Sequence, residues 1–407
     1  MKILLYGINY APELTGIGKY SSELCQWLTE QGHNVRVITA PPYYPAWKQS
    51  KGYSYTLYST EKVAGVSVIR CPLWVPSSPT GIKRIIHLLS YTASSTPVVI
   101  ALSLFWKPDI IIAIEPPFFC ALPAWLGAKI ANAKSWLHIQ DFEIDASVRV
   151  GFIKDSFILK LLFKFEKWLL GNFNTVSTIS ERMLIKLHEK EVPSSKCYYF
   201  PNWIDSSFIF PTAPNILFKT SLGISENKKV ALYSGNMGRK QGLDIILDAA
   251  KLLTHCNYLI FILCGTGAMY EEILTASHDL DNLILIPLQQ PDRFNDLLNI
   301  ADVHLLPQQA GMDEFVMPSK LLGILASGRP VVGCASEDTE LAKIISAAGV
   351  VVPSADAHKF ADAIISVITS PDLSEKLGKR GRELCVSTWE KNLVLTKFNN
   401  KLLSQQF

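Results

Sequence analysis

GMDEFVMPSKLLGILASGRPVVG, residues 311–333, packs an acidic pair, a helix start, a helix stop and a buried strand into one short run. Pro318 suits the first turn of a helix, where its missing N–H has no partner to lose. Ser319 to Leu325 continue that helix, Gly328 ends it, and Arg329-Pro330 lead into an apolar strand at Val331 and Val332. Asp313 and Glu314 stand ahead of the helix beside Phe315. A free helix start offers unpaired N–H groups to an anion.

Upstream, a strand from Val230 runs through Ser234-Gly235-Asn236-Met237-Gly238-Arg239-Lys240-Gln241-Gly242 into a helix over Leu243 to Leu253. Close backbone approach at glycine, a positive helix end and two cations, Arg239 and Lys240, make the combination a phosphate needs. A solvated helix start is the plainer alternative. Tyr258 to Cys264 reads as a strand entering the turn Gly265-Thr266-Gly267, and Leu283 to Ile286 as a strand ending at Pro287-Leu288. A helix over Asp292 to Asn299 and a strand over Ala301 to Pro307 complete the approach to the opening segment. His304 lies within that apolar strand and fits a core position better than a ligand. Two further βα-like units end near Leu384, and Trp389 to Leu403 reads as a last helix.

The first half repeats the alternation. Ile3 to Ile8, Val35 to Thr39, Val66 to Arg70, Ile110 to Ile114, Lys134 to Ile139 and Thr175 to Ile179 are short apolar runs of the kind that form buried parallel strands. A loop bearing Gly16, Gly18 and Lys19 joins the first of them to a helix over Tyr20 to Glu30, and its glycine spacing departs from the dinucleotide fingerprint. Residues 43–58 read as a long tyrosine-rich loop. The apolar span Ile85 to Trp106 is interrupted at Ser94-Ser95-Thr96-Pro97, which leaves Val98 to Trp106 too short to cross a bilayer. Phe152 to Leu170 carries Lys154, Lys160, Lys164 and Lys167 among Phe, Leu and Ile, a pattern that suits either an acidic membrane surface or an ordinary surface helix.

With 407 residues, 48% of them apolar, two domains are the default. A net charge of +3 is too weak to suggest a nucleic-acid partner. The 8 cysteines are scattered without a C-x-x-C pair, which fits reduced core thiols rather than a zinc site. MKILLYGINY reads as a first strand and not as a signal peptide. Sites in open α/β sheets gather at strand ends. Glu115, closing one strand, and the run His138-Ile139-Gln140-Asp141-Phe142-Glu143-Ile144-Asp145, closing another, are the candidates here. Strand alternation points His138 and Asp141 to opposite faces unless the chain bends. His138 also suits a hydrogen-bonded core role, and Asp141 a helix cap.

DEFVMPSKLLG and ASGRPVV, the cationic turn at Arg239-Lys240, and the crossover Pro201-Asn202-Trp203-Ile204-Asp205 resemble GT-B glycosyltransferases of the large retaining family 4, in the subgroup of colanic-acid-type fucosyltransferase-like enzymes. The resemblance implies an α/β GT-B fold: two Rossmann-like domains facing a cleft, with 1–205 on the acceptor side and 206–385 holding the nucleotide sugar. Residues 386–407 then form a helix crossing back to the first domain. Glu314 would face the donor sugar, with Phe315, Val316 and Met317 carrying backbone toward it and Ser319 and Lys320 opening the helix. Gly16, Gly18, Arg239, Lys240, Gly265, Gly267 and Leu288 would complete the donor site. Asp141, and after it His138, would serve the reaction centre, while Glu115, Glu143 and Asp145 would line the acceptor site. One departure stands out: the second glutamate that most members carry in the helix falls, counting back from Gly328, at Gly323.

The implied reaction is retaining, front-face transfer of a sugar from a nucleotide diphosphate to a lipid-linked surface-polysaccharide intermediate, with no metal or other cofactor. GDP-fucose is preferred over a UDP-N-acetylhexosamine as donor. Partners would be the lipid-linked oligosaccharide, an acidic membrane surface and other polysaccharide assembly proteins, at the cytoplasmic face of the plasma membrane. Two rivals remain: a UDP-sugar epimerase of similar shape, and a weakly catalytic scaffold of polysaccharide assembly.

Overall fold

Every residue of Ile110–Glu115 is buried, which requires cover on both faces of the strand. The computed structural model, which describes residues 1–13, 16–77, 80–149, 157–309, 319–354 and 356–405, supplies that cover from helices on either side of a sheet. Its chain divides into two units, Met1–Pro201 with Leu395–Phe407, and Asn202–Val394. Each is a Rossmann-like α/β unit built on one sheet.

In the first unit the strands are β1 (Lys2–Tyr6), β2 (Asn34–Thr39), β3 (Ser59–Val63), β4 (Val66–Arg70), β5 (Ile110–Glu115), β6 (Lys134–Ile139), β7 (Thr175–Thr178) and β8 (Cys197–Tyr199). The helices are α1 (Gly16–Glu30), α2 (Gly81–Phe105), α3 (Ala121–Ala131), α4 (Glu143–Arg149), α5 (Phe157–Asn172) and α6 (Glu181–Glu189). The sheet order is β3-β4-β2-β1-β5-β6-β7-β8, parallel except for β3 against β4. Strand order therefore reverses between β1 and β5, the place where such sheets open a crevice at their carboxyl ends.

Two expectations change here. No strand is expected at Ser59–Val63, yet β3 forms there on the sheet edge, with only one side to pair and a polar sequence, STEKV, suited to that exposure. The span around Pro97, which in sequence suits one helix or two, is one continuous helix of 25 residues, so the polar run does not interrupt it. The hydroxyls of Ser94, Ser95 and Thr96 donate to carbonyls of Tyr91 and Thr92 in the preceding turn, so the polar run is satisfied within the helix. Unbroken, α2 is long and apolar enough to cross a membrane by length and composition. Its inner stripe is nevertheless committed to the sheet: His87, Leu88, Tyr91, Ser95, Val99 and Ser103 are buried at helical spacing. Tyr6 Oη lies 2.6 Å from Ser95 Oγ, which ties α2 to β1.

The second unit carries β9 (Lys229–Ser234), β10 (Leu259–Cys264), β11 (Leu283–Ile286), β12 (Val303–Leu306), β13 (Val331–Cys334) and β14 (Gly349–Val352) in the order β11-β10-β9-β12-β13-β14, all parallel. Around them lie α7 (Ile216–Ser221), α8 (Asp244–Leu252), α9 (Tyr270–His278), α10 (Pro291–Asn299), α11 (Ser319–Ala326), α12 (Glu340–Ala348), α13 (Ala357–Ile368) and α14 (Pro371–Thr388). The last helix, α15 (Lys391–Leu403), starts in the second unit and ends in the first. In the first unit its Phe398 stacks on Phe200 at 4.3 Å between ring centroids and lies 4.8 Å from Trp136. All eight cysteines are free thiols.

Candidate functional site

In the second unit the strand order reverses between β9 and β12, and α11 starts beside the carboxyl end of β9. Tyr233, near the end of β9, is fully buried. Its hydroxyl donates to the Asn236 carbonyl oxygen at 2.6 Å and accepts from Lys320 Nζ at 2.7 Å. Lys320 Nζ also donates to Gln241 Oε1 at 2.7 Å and lies 4.3 Å from the centre of the Tyr233 ring. Burial pulls this amine down from 10.5 to about 7, with no carboxylate among the described residues offsetting it. Gly235 leaves room for the lysine: a Cβ there would stand 3.3 Å from Nζ.

The glycines of the neighbouring turn have a packing cause. A Cβ on Gly265 would stand 1.9 Å from the Gly235 carbonyl oxygen, and one on Gly267 would stand 2.5 Å from the Met237 carbonyl carbon. The two loops lie backbone on backbone, joined by Gly235 N–H to Cys264 O at 2.9 Å and Met237 N–H to Thr266 O at 2.8 Å. Leu288 follows β11 and is exposed. Arg239 is 71% exposed and donates to Glu272 Oε1 at 2.6 Å, so this cation already has an acidic partner at the surface. Glu314, Phe315, Val316 and Met317 lie outside the described residues, as do the side chains of Lys240 and Ser319. Gly323 is buried, and among the described residues a Cβ there would meet only Leu298 Cδ1 at 3.5 Å and Phe294 Cε1 at 3.9 Å.

In the first unit Gly16 opens α1 with φ +60°, and Gly18 makes room for a buried acid. That acid, Glu13, accepts from Asn9 Nδ2 at 2.9 Å and from the N–H groups of Tyr43 and Tyr44 at 3.0 Å each. Burial raises its pKa, and the three donors oppose that rise. Glu13 thus pins the start of the tyrosine loop to the glycine loop, a role the bare sequence did not suggest.

His138 and Asp141 differ in burial. His138 is buried, with Nδ1 2.9 Å from Ser177 Oγ and Nε2 3.0 Å from Gln140 Nε2. Trp136 Nε1 donates to the same Ser177 Oγ at 2.7 Å. Burial pulls the imidazole down to about 3, so it is neutral and has a polar partner at each nitrogen. Asp141 lies past the end of β6, two residues before α4, and is exposed.

Glu115, Glu143 and Asp145 come together in one cluster, joined by Glu166 of α5 and Lys190 after α6. Glu115 is almost wholly buried; its Oε1 is 3.4 Å from Glu143 N, and its Oε2 has no hydrogen-bond partner among the described residues. Burial, then Glu166 and Glu143, hold its carboxyl well above the usual carboxylate range. Glu143 accepts from Phe118 N at 2.8 Å, and burial raises it too. Lys190 Nζ stands 2.6 Å from both Asp145 Oδ2 and Glu166 Oε2. Two buried acids with raised pKa values thus stand beside two that share Lys190, and Lys186 Nζ lies 3.4 Å from Asp145 Oδ1. Glu166, on α5, and Lys190, just past α6, sit far off in sequence, where the helices' only visible signal is amphipathicity. Among the described residues no three His, Cys, Asp or Glu side chains are grouped to hold a metal ion.

Residues 15–203 match the Glycosyl transferase 4-like domain, and residues 216–384 match Glycosyl transferases group 1. The Escherichia coli (strain K12) protein assigned as colanic acid biosynthesis glycosyl transferase WcaI is 40% identical over 409 residues, which covers 99% of this chain and 100% of that one. Among solved structures, sucrose-phosphate synthase from Thermosynechococcus elongatus superposes with a TM-score of 0.77 at 16% identity, covering 99% of this chain and 98% of that one. Anabaena HepE in complex with UDP gives a TM-score of 0.72 at 14% identity, covering 99% of this chain and all of that one.

Proposed function

The chain belongs to family 4 of the GT-B glycosyltransferases and is a nucleotide-sugar-dependent enzyme, and from that premise we propose that it transfers a sugar to a lipid-linked intermediate of a colanic-acid-type surface polysaccharide. The observation that carries this reading is the full-length, 40% identity to a protein whose name places it in colanic acid biosynthesis.

In this proposal the second unit holds the donor diphosphate against the glycine turns after β9 and β10, with Glu314 facing the sugar. Donors fixed before the reaction stabilise charge as it develops on the departing phosphate. The first unit presents the acceptor, and Asp141, the exposed carboxylate past β6, receives or orients the proton of its hydroxyl. The bond from the anomeric carbon to phosphate breaks while the bond to the acceptor oxygen forms on the same face, retaining configuration. Subgroup resemblance favours GDP-fucose as donor.

The acceptor class and a position on the inner face of the plasma membrane draw support from the helix layer of the first unit. Ile82, Ile86 and Phe105 of α2 and Phe157, Leu161 and Trp168 of α5 are exposed apolar side chains. Lys160, Lys164 and Lys167 lie among those of α5. Exposed apolar groups interspersed with lysines suit an anionic bilayer surface.

The test is a transfer and hydrolysis screen with purified protein and membrane lipid extract, comparing GDP-fucose, GDP-mannose, UDP-N-acetylglucosamine and UDP-glucose. Turnover of one donor, lost in Glu314→Ala, is the expected result. Failure of all four to bind would remove the donor assignment, and turnover without any lipid-soluble product would remove the acceptor assignment.

A further inference from the structure

A lysine amine presents three N–H bonds when protonated, but two N–H bonds and a lone pair when neutral. At Lys320 two directions are already fixed. Tyr233 commits its own hydrogen to the Asn236 carbonyl, so toward Lys320 it can only accept. Gln241 Oε1 can likewise only accept. Nζ must therefore donate twice, which either protonation state allows. The remaining direction carries a lone pair in one state and a third N–H in the other. Neutral partners make the difference small in the empty site; an anion placed there would make it large.

The surroundings sharpen this. Gly235, with no side chain, lies against the same amine at the switch point of the sheet. On β9 the titratable group facing Nζ is Tyr233, itself held neutral by burial. In the turn that follows, Gln241 is neutral and Arg239 is turned to Glu272 of α9 at the surface. Among the described residues no fixed carboxylate stands ready to keep the ammonium charged.

We propose that Lys320 is a proton-linked anion contact: it takes up a proton from solvent when the diphosphate of a nucleotide sugar enters beside Gly235, and turns its third N–H to a phosphate oxygen. The proposal rests on the second unit binding the donor, as set out above. The step is R–NH2 plus H+ giving R–NH3+ against the phosphate, with no other bond made or broken. Burial places the free amine at about 7, and a bound anion moves it higher. Between those two values binding consumes a proton, so affinity falls as pH rises, by up to about tenfold per pH unit. Arg239, the cation more obvious in sequence, would add a pH-independent attraction from the rim.

The experiment is calorimetric titration of the full chain with GDP-fucose and UDP-glucose, whose diphosphodiesters have no group titrating near neutrality. Each titration is run at several pH values from 6 to 9, in two buffers of different ionisation enthalpy. The expected result at pH 8 is uptake of a substantial fraction of one proton per nucleotide sugar, shrinking toward pH 6. Lys320→Gln should bind more weakly with no uptake, and its fold is checked by circular dichroism. Binding by the unaltered chain without proton uptake at pH 8 would overturn the proposal, as would undiminished uptake in Lys320→Gln. Absence of binding at every pH would instead overturn the donor-site reading on which the proposal stands.

Discussion

Gly18 lies so close to Glu13 that a Cβ built on it would stand 2.8 Å from Glu13 Cβ and 2.9 Å from Glu13 Oε2. The first turn of α1 and the buried carboxylate thus share one space. Gly18→Ala should push Glu13 off its three donors, at a cost of about 1–3 kcal/mol for overpacking and unmade hydrogen bonds. Thermal denaturation checks it; an unchanged melting temperature would mean the loop absorbs a methyl group freely.

Asp141 and His138 should part company under mutation. Asp141→Asn is expected to keep the fold and lower kcat about a hundredfold or more, the usual scale for loss of a proton acceptor. His138→Ala should chiefly cost stability, about 1–3 kcal/mol, because Ser177 and Gln140 lose a partner. Steady-state kinetics beside urea denaturation separates them. A large loss of kcat in a stable His138→Ala protein would return the imidazole to the reaction centre.

The Glu115 carboxyl has a raised pKa in the folded protein, caused first by burial and then by Glu166 and Glu143. Between the unfolded value near 4.5 and the raised one, the folded chain holds the extra proton. Its contribution to stability is therefore complete below pH 4.5 and is lost as pH rises through the folded value. Glu115→Gln should gain stability over the parent with rising pH, by at most about 1.4 kcal/mol per pH unit within that window. Parallel urea melts at pH 5, 6 and 7 read the difference; a constant gap across them would rule the effect out.

Much of this architecture is legible because buried parallel strands are written as unbroken apolar runs: IIIAIE and LIFILC need no tertiary information. An edge strand such as STEKV has no such signature, since its stability comes from the neighbour it pairs with. The interruption at Pro97 misleads for a related reason. Whether hydroxyls beside a proline break a helix or bond back into it depends on what covers the helix. At the candidate site, glycine spacing finds the turns but cannot say whether each glycine clears space for a ligand or for the next loop. Gly265 and Gly267 demonstrably clear space for Gly235 and Met237. Arg239 is conspicuous beside glycines, yet the amine enclosed at the strand switch belongs to Lys320, many residues downstream.

Gly323 gives a test of opposite sign. A methyl group there would make only ordinary contacts with Leu298 and Phe294. Gly323→Ala should therefore stabilise α11 by about 1 kcal/mol through helix propensity. A fall in melting temperature would show that this turn needs a bare backbone for another purpose.

Binding to anionic vesicles should depend on the lysines of α5. Each basic group near such a surface contributes about 1 kcal/mol, so Lys160, Lys164 and Lys167 changed together to Gln should weaken vesicle binding about a hundredfold. Co-sedimentation with phosphatidylglycerol vesicles measures it, and binding that is indifferent to all three would dismiss this face.

The route of α15 bears on how the protein is made. Residues 1–201 leave the ribosome first, but Leu395, Phe398 and Leu402, fully buried in their unit, are translated only after the whole stretch 202–394. Until then the flank of Trp136 and Phe200 has no cover. The unit holding residues 1–201 is thus the later of the two to be completed, and its aromatic seam stays unsealed while residues 202–394 are made.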